Sequence, residues 1–335
     1  MPTMADVAKL AGVSLSTASY VLSGKRPISA ATRNRVLVAM DELGFQPNNQ
    51  GRALASGRSR TIALLYPSEN SLLSPMPMEF VTAVAAQAEL RGYALMLSTV
   101  NRAEDRELLI LRRGFVDGYI LMEVSLSDPR IDLLQRTNVP FALIGRRADN
   151  SGLHLVDLDF EHSIQIAIEH LRGLGHDSIG LLCRSNGELH DYGPTVRMRR
   201  QFDAEICQHG LTGRYYACAA NPEAGTNVFK AIIRKQPGIT ALICSNTEAI
   251  TGVIRGAIGH SVSIPNDLSI IGLLSPRLAE FLNPPITAVD FPAGEMGRRG
   301  VDFLIDQLEG RTGNPQQLVI RSTVTVRSST RRVPG

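Results

Sequence analysis

The sequence predicts two kinds of fold in one chain: an all-α head of short helices, and an α/β core of doubly wound parallel sheets. Residues 4–24 have the pattern of two short helices joined at a tight turn, and a third helix follows. From residue 61 onward, apolar runs alternate with amphipathic stretches, as in buried strands covered by helices on both faces. Seven such strand–helix units are more than one sheet of this kind usually holds, so the pattern favours two lobes with a cleft between them.

The head begins with the helix pair of residues 4–24. Gly12 suits the left-handed backbone that turns the chain at no steric cost, and Ser14 can N-cap the second helix. Small or branched side chains would let the helices approach closely on their inner faces: Val7, Ala8, Ala18 and Val21. Ser29 can cap a third helix, which Gly44 would end. Its apolar positions are Val36, Leu37, Met40 and Leu43.

The outward face of the second helix is the candidate functional surface of the head. It carries Leu15, Ser16, Thr17, Ser19 and Tyr20 at the start of a helix that would lie in a major groove of DNA. This spacing is that of a helix-turn-helix DNA-binding motif. An ordinary helical hairpin on the surface of a larger domain is the alternative.

Charge is distributed unevenly between the head and the core. Residues 1–60 hold eight Lys and Arg against three acidic residues, a net charge of +5, whereas the whole chain carries only +3. The remainder therefore carries a net charge of −2. Excess positive charge on the head favours contact with phosphates, although a solvated basic face would give the same count.

The core elements follow from the alternating pattern. Strands are predicted at 61–66, 93–98, 118–122, 141–144, 178–183, 240–244 and 268–273. Helices are predicted at 78–91, 104–113, 161–174, 196–209, 224–236, 248–259 and 293–309. In folds of this kind, ligands collect outside the carboxyl ends of the strands.

Several other classes of protein are excluded by the sequence. The N-terminus lacks the basic start and apolar core of a signal peptide, and no apolar run approaches a membrane span. The four cysteines have no metal-ligand spacing, the seven histidines form no metal-binding pattern, and Cys183 and Cys244 are expected to be buried free thiols. No nucleophile elbow, phosphate-binding loop or dinucleotide fingerprint occurs. We therefore expect a cytoplasmic, nucleoid-associated protein that is not an enzyme and needs no cofactor or metal.

The head resembles the lactose/galactose repressor (LacI/GalR) family of bacterial transcription regulators. The resemblance rests on an ungapped series of motifs: Thr-Met-Ala-Asp-Val-Ala at 3–8, Gly-Val-Ser at 12–14, Thr-Ala-Ser at 17–19, Pro-Asn at 47–48 and Ala-Leu-Ala at 53–55. It implies a hinge helix that orders when two subunits sit on a palindromic operator. Ala53 and Leu54 would then lie at the minor groove, with Leu54 wedged into the central base step. The alternative is a linker in which Leu54 packs against its own domain.

The same resemblance implies how the head would contact operator DNA. Leu15, Ser16 and Tyr20 would contact bases. The residues expected to position phosphates are Thr3, Ser14, Thr17, Ser19 and Asn48. Many family members carry arginine where this chain has Tyr20, and tyrosine cannot make the bidentate fork to guanine. It could instead contact a thymine methyl group or hydrogen-bond a base through its hydroxyl.

The core resembles the effector-binding domain of the same family, which is related to periplasmic sugar-binding proteins. The matching segments are His170-Leu171 with 174–176, then 264–272, 286–290 with Met296-Gly297, and 327–329. The resemblance implies three passages of the chain between the lobes, near 157–159, 288–291 and 320–323. His154, Asp157 and Asp159 lie at the first passage, which favours a structural role over catalysis.

The resulting domain prediction has three parts. Residues 1–46 form the helix-turn-helix domain, 47–60 the hinge helix or linker, and 61–335 the effector-binding and dimerisation core. Lobe 1 takes about 61–158 plus 289–320, and lobe 2 about 159–288 plus 321–335. No heptad-repeat helix follows the core, so a homodimer is expected.

The effector pocket departs from the family pattern. Gly145 and Leu274 stand where carboxylates are common, Met198 stands at the place of an arginine, and Asn246 keeps the match. The predicted lining is Leu73, Met76, Met78, Arg146, Arg197, Arg199, Asn246 and Leu274. Its arginines would suit an anionic effector and its methionines a partly apolar one, and plain hexoses should bind weakly, poorer than about millimolar. Surface arginines around a pocket that binds nothing are the alternative.

These observations predict a sequence-specific transcriptional regulator that binds a palindromic operator in double-stranded DNA as a dimer. A small-molecule effector would modulate it from the cleft. Repression is favoured over activation, because a dimer clamped on an operator mainly blocks. The alternatives are a regulator with a degenerate pocket and no effector, and a transcriptional activator.

Overall fold

The computed structural model describes residues 2–23, 26–45, 58–66, 75–99, 115–185, 191–235 and 238–333. The chain divides into two compact units, of which the first holds the N-terminal helices and the second begins at Thr61. Within the described part of the chain, no helix combines the length and apolar character needed to cross a membrane. The same residues contain no cluster of His, Cys, Asp or Glu arranged to hold a metal ion.

The head contains the three helices that the sequence predicts: α1 (Met4–Leu10), α2 (Leu15–Ser23) and α3 (Ala30–Glu42). Thr3 and Asp6 form a capping box at the start of α1, and Gly12 turns the chain at a φ of 62°. The inner faces pack as expected, through Val7, Ala8, Ala11, Ala18, Val21, Val36 and Ala39. One expected core position is wrong, because Leu37 is exposed and Ala39 takes its place against the other helices.

The core alternates strands and helices along the chain. Its first half contains β1 (Thr61–Leu65), α4 (Pro75–Leu90), β2 (Ala94–Ser98), β3 (Gly118–Leu121), α5 (Pro129–Thr137), β4 (Phe141–Ile144), β5 (Leu155–Leu158), α6 (Phe160–Gly173) and β6 (Ser178–Arg184). Its second half contains α7 (Gly193–His209), β7 (Thr212–Cys218), α8 (Pro222–Lys235), β8 (Ala241–Cys244), α9 (Ala249–Gly259), β9 (Ser269–Leu274), α10 (Pro276–Phe281), β10 (Thr287–Asp290), α11 (Ala293–Leu308), β11 (Gln317–Ile320) and β12 (Val324–Thr325).

The strands form two six-stranded sheets, which confirms the predicted fold class. The first sheet has the order β11-β5-β4-β3-β1-β2 and the second the order β12-β10-β9-β8-β6-β7. All strand pairs are parallel except β10 with β12. Strands β3, β4, β5, β8 and β9 are buried along their whole length, as expected of strands covered on both faces.

The chain passes between the two sheets three times: after β5, after β10, and between β11 and β12. Backbone hydrogen bonds tie these passages together. The Asp159 N–H donates to the Ile320 carbonyl at 2.8 Å, and the Asp290 N–H donates to the Thr323 carbonyl at 3.0 Å. The lobes therefore share a narrow, hydrogen-bonded connection, and the carboxyl ends of their strands border one cleft.

Among the described residues, the sequence pattern missed five strands and two helices: β5, β7, β10, β11, β12, α5 and α10. The predicted helix at 104–113 lies outside the described residues. Cys183 and Cys244 are buried free thiols, as expected. Helices α8 and α9 pack at backbone distance, since a Cβ atom on Gly252 would overlap the carbonyl oxygen of Pro222.

Candidate functional site

The first candidate site is the outward face of α2. Ser14 caps this helix: the Thr17 N–H donates to Ser14 Oγ at 3.1 Å, and the two hydroxyl oxygens lie 2.8 Å apart. Leu15 is 55% exposed, and Ser16 and Ser19 are exposed beside it. The buried residues Ala18 and Val21 fix the opposite face. The side chains available to DNA are thus presented from a helix whose other face is held in the head core.

Tyr20 is half-buried and has a partner that the sequence did not suggest. The guanidinium carbon of Arg26 lies 5.3 Å from the centre of the Tyr20 ring, within the range of a cation–π interaction. This contact places a positive charge next to the residue expected to contact a base. Helical spacing could not reveal it, because Arg26 follows the end of α2.

The other predicted DNA-contacting residues lie in different surroundings. Thr3 is engaged in the capping box, with its hydroxyl 2.7 Å from the Asp6 carboxylate, and hydrogen bonds from Thr3 lower the pKa of Asp6. Asn48, Ala53 and Leu54 lie outside the described residues. The assignments of Leu15, Ser16, Tyr20, Thr3, Ser14, Thr17 and Ser19 stay predictions.

The second candidate site is a cavity in the cleft between the lobes. The space that it encloses, including the part open to solvent, is about 740 Å³. Its walls come from both lobes, with Tyr66 and Phe80 on the first and Arg184 and Tyr192 on the second. Phe80 meets Phe291 edge to face with ring centres 5.9 Å apart, and Phe160 packs on the same ring.

Two of the predicted lining residues, Met76 and Asn246, do line this cavity. The Asn246 amide is held firmly in place. Its Nδ2 donates to the Cys218 carbonyl at 3.1 Å, and its Oδ1 accepts from the Ala249 N–H at 3.2 Å. Met198, which stands at the family's arginine position, also lines the cavity.

Three other predicted lining residues are corrected by the structure. Leu274 is fully buried and packs among the apolar side chains of the second lobe, whereas Leu273 faces the cavity. Successive residues of a strand point to opposite faces of the sheet. Leu274 therefore stands at the family's ligand position while its side chain points away from the cleft. Met78 and Arg199 are also absent from the described lining, because Met78 is exposed on α4 and Arg199 lies over the Tyr215 ring at 4.6 Å. Leu73 lies outside the described residues.

Arg146 and Arg197 are corrected as well, because they connect the lobes instead of lining the cavity. Arg146 pairs with Asp157 at 2.8 Å and with Glu161 at 2.7 Å. Arg197, on α7 of the second lobe, donates to the Arg146 and Arg147 carbonyls of the first lobe at 3.1 Å each. These bonds hold the lobes together and leave neither guanidinium facing a ligand in the cavity.

Asp157 is the buried centre of this network. Burial raises its pKa to about 6, and the attraction of Arg146 and Arg197 offsets only part of that rise. The two neighbours grouped with it in the sequence also have structural contacts. The Gln316 N–H donates to His154 Nδ1, and Asp159 caps α6 by accepting from the His162 N–H.

Among the described residues, the charged groups that line the cavity are Glu123, Arg184 and Glu248. Glu123 accepts hydrogen bonds from Arg184 Nη1 and from the Tyr192 hydroxyl, each at 3.2 Å. Glu248 Oε2 accepts from the Thr247 hydroxyl at 2.8 Å. Burial raises the pKa of the nearby Tyr66 phenol, and Glu123 adds to that rise. Glu123 and Arg184 were missed, although both lie at the carboxyl ends of strands, where ligands collect.

Comparison with known proteins agrees with both parts of the chain. Residues 3–48 match the family "Bacterial regulatory proteins, lacI family", and residues 168–330 match a periplasmic binding protein-like domain. Catabolite control protein A of Priestia megaterium is 25% identical, with 98% of this chain and 99% of that protein covered. The transcriptional regulator CelR of Thermobifida fusca is 27% identical, with 98% of each covered.

Solved structures show the same arrangement. A CelR–cellobiose complex aligns with a TM-score of 0.73 at 26% identity, covering 98% of this chain and all of that one. A lac repressor dimer bound to operator and an anti-inducer has the same fold, with a TM-score of 0.85 at 23% identity and 98% and 99% covered.

Together, the helix-turn-helix head and the two-lobed core define a DNA-binding transcriptional regulator with a periplasmic-binding-protein-like core. The chain belongs to the lacI family of bacterial regulatory proteins. The named relatives are transcriptional regulators and not enzymes.

Proposed function

We propose that this protein is a repressor that binds a twofold-symmetric operator as a homodimer and releases or tightens on it when an effector occupies the cleft. The observation that carries the proposal is the outward face of α2, which is exposed, capped at Ser14 and part of a head with a net charge of +5. A helix presented in this way fits a major groove, and the basic head neutralises phosphates.

Base contacts come from Leu15, Ser16 and Tyr20 in this proposal. Leu15 offers an apolar contact to a thymine methyl group, and Ser16 offers a hydrogen bond. Phosphate positioning comes from Thr3, Ser14, Thr17, Ser19 and Asn48, and Ala53 with Leu54 enters the central minor groove. The proposed domains are a head at 1–46, a hinge at 47–60 and a core at 61–335. The protein would act in the cytoplasm, where operator DNA is found.

A second copy of this chain is the proposed partner of the core. Ile258 on α9 and Phe281 on α10 are 72% and 76% exposed, and Leu90 at the end of α4 is 79% exposed. These side chains are accessible to a second chain. The lac repressor structure, described as a dimer on its operator, supports this assembly.

The cleft is the proposed effector site, and the CelR structure, described as a cellobiose complex, supports the assignment of a small molecule. In this chain Met76, Asn246, Glu123 and Glu248 would contact the ligand. Glu123 joins a first-lobe strand end to two second-lobe side chains. A ligand that bonds these groups therefore changes the relative energy of open and closed lobes.

The test is selection of bound sequences from random DNA, followed by gel shifts on the selected site and on DNA upstream of the gene. We expect a palindromic site, two chains per site and a steep loss of affinity with salt. Ser16→Ala on α2 should weaken specific binding, whereas the control Val38→Ala, exposed on α3, should not. Recovery of no preferred sequence would refute the proposal. A reporter placed behind the selected site distinguishes repression from activation.

A further inference from the structure

The described wall of the cleft carries less positive charge than the arginines of the sequence predict. Arg184 is the one cation among the described lining residues, and it is paired with Glu123 at 3.2 Å. Glu248 also lines the cleft and makes no ion pair with a described side chain, and it accepts a hydrogen bond from the Thr247 hydroxyl. The described wall therefore carries one carboxylate more than it carries cations.

Glu123 has a strained backbone conformation, and hydrogen bonds hold its side chain in place. Its φ of 55° lies in the left-handed region, which glutamate seldom adopts. The side chain is 15% exposed and contacts both Arg184 and Tyr192 from the opposite lobe. Strained residues held by their surroundings cluster at ligand sites. Glu123 thus keeps the Arg184 charge neutralised and directed at itself instead of at a ligand.

The rest of the cavity wall is apolar and aromatic. Phe80, Phe160 and Phe291 form one aromatic cluster, and Met76, Met122, Met198 and Leu273 continue the surface. Methionines adapt to irregular shapes, and aromatic faces attract cations as well as apolar groups. A ligand that fills this space presents an apolar or ring-shaped body to these side chains and a polar head to Glu248.

We propose that the effector is a small organic amine, protonated at neutral pH, whose ammonium group pairs with Glu248 and whose body packs on the phenylalanine and methionine wall. This inference rests on the proposed function, in which the cleft holds the effector. An anion would face Glu248 while the described cation is already paired. An uncharged ligand can offer Glu248 hydroxyl donors, but an ammonium group donates a charge-assisted hydrogen bond, which is about twice as strong.

The test uses the full-length chain and two sets of matched probes that differ in the head group. One set is phenethylamine, phenethyl alcohol and phenylacetate, and the other is glucosamine, glucose and glucuronate. Affinities are measured by calorimetry at pH 7. We expect the amine of at least one set to bind tenfold or more tighter than its alcohol, and the carboxylate to bind most weakly. Amines that bind no better than the alcohols, or no binding in either set, would overturn the proposal.

Two variants locate the preference within the cleft. Glu248→Gln keeps the shape of the side chain and removes its charge, so it should lose the tenfold margin of the amine. Glu295→Gln, on the exposed side of α11 in an ion pair with Arg299 at 3.9 Å, is the matched control and should keep the margin. An unchanged margin in folded Glu248→Gln would contradict the assignment to Glu248. The probe comparison itself uses the unmodified chain, so it does not depend on how a variant folds.

Failure of this inference is distinguishable from failure of the proposed function. Selection from random DNA is carried out on the same unmodified protein. A preferred operator combined with better binding of alcohols or carboxylates would overturn the amine alone. If amines bind but no DNA sequence is preferred, the amine class of ligand is supported and the proposed function as a DNA-binding regulator is overturned.

Discussion

The substitution Asp157→Asn tests the energetics of the network that joins the lobes. Asp157 is 1% exposed, and its pKa is about 6 in the folded chain against an ordinary value of 3.8. The folded protein therefore holds the proton more tightly than the unfolded chain. Each pKa unit corresponds to about 1.4 kcal/mol, so this group contributes about 3 kcal/mol of stability below pH 4 that is lost as the pH rises through 6.

Asparagine does not titrate, so the variant should lack this pH dependence. We expect the free energy of unfolding of Asp157→Asn, relative to the unmodified chain, to rise by about 2 kcal/mol between pH 4 and pH 7. The measurement is urea unfolding of the core, followed by circular dichroism at a series of pH values. Asp132→Asn is the matched control, since that carboxylate is 48% exposed and pairs with Arg147. A difference between Asp157→Asn and the unmodified chain that stays constant with pH would refute the reasoning.

Three further predictions concern packing and DNA recognition. Gly252→Ala should destabilise the second lobe by about 2 kcal/mol or more in urea unfolding, because its Cβ atom would overlap the Pro222 carbonyl. Gly259→Ala, which has open space on the same helix, should not, and equal effects would contradict the packing argument. Tyr20→Arg should shift the selected half-site toward a guanine at the facing position, and identical sites for both proteins would reject a base-contacting role for Tyr20. Leu54→Ala should weaken operator binding and bending while leaving the core intact, because the wedge otherwise offsets a few kcal/mol of base-step opening; unchanged affinity and unchanged bending would rule the wedge out.

The fold could be predicted from sequence wherever apolar patterning was strong. The first sheet's β1, β3 and β4 and the second sheet's β8 and β9 are short apolar runs, and each was found within one or two residues. The missed strand β5 contains Asp157, whose charge interrupts the apolar pattern and is compensated in the fold by Arg146 and Arg197. The missed β7 lies at a sheet edge, where Arg214 is exposed and the two tyrosines that follow it are half-buried. Tertiary partners, and not local preference, make these segments strands.

The cleft was predicted poorly because side-chain direction and pairing are tertiary properties. Arginines such as Arg146 and Arg197 are typical of anion-binding sites, yet both bind carboxylates or carbonyls of the chain itself. Leu274 stands at a family ligand position but turns into the core. Glu123 and Glu248 supply the carboxylates of the cleft, but nothing in the sequence distinguishes them from surface glutamates. Their roles follow from the strand ends and helix start that carry them.

Two sets of the contacts that join the lobes stand in different relations to a ligand. One set lies outside the cavity, where Arg197 binds the Arg146 and Arg147 carbonyls. The other lies in the cavity wall, where Glu123 binds Arg184 and Tyr192. A molecule in the cleft touches only the second set, so it can stabilise or replace those bonds while the first set keeps the lobes attached. The free energy available for signalling is then the difference in ligand affinity between the two lobe arrangements, and Glu123 and Glu248 are the described groups whose charge sets that difference.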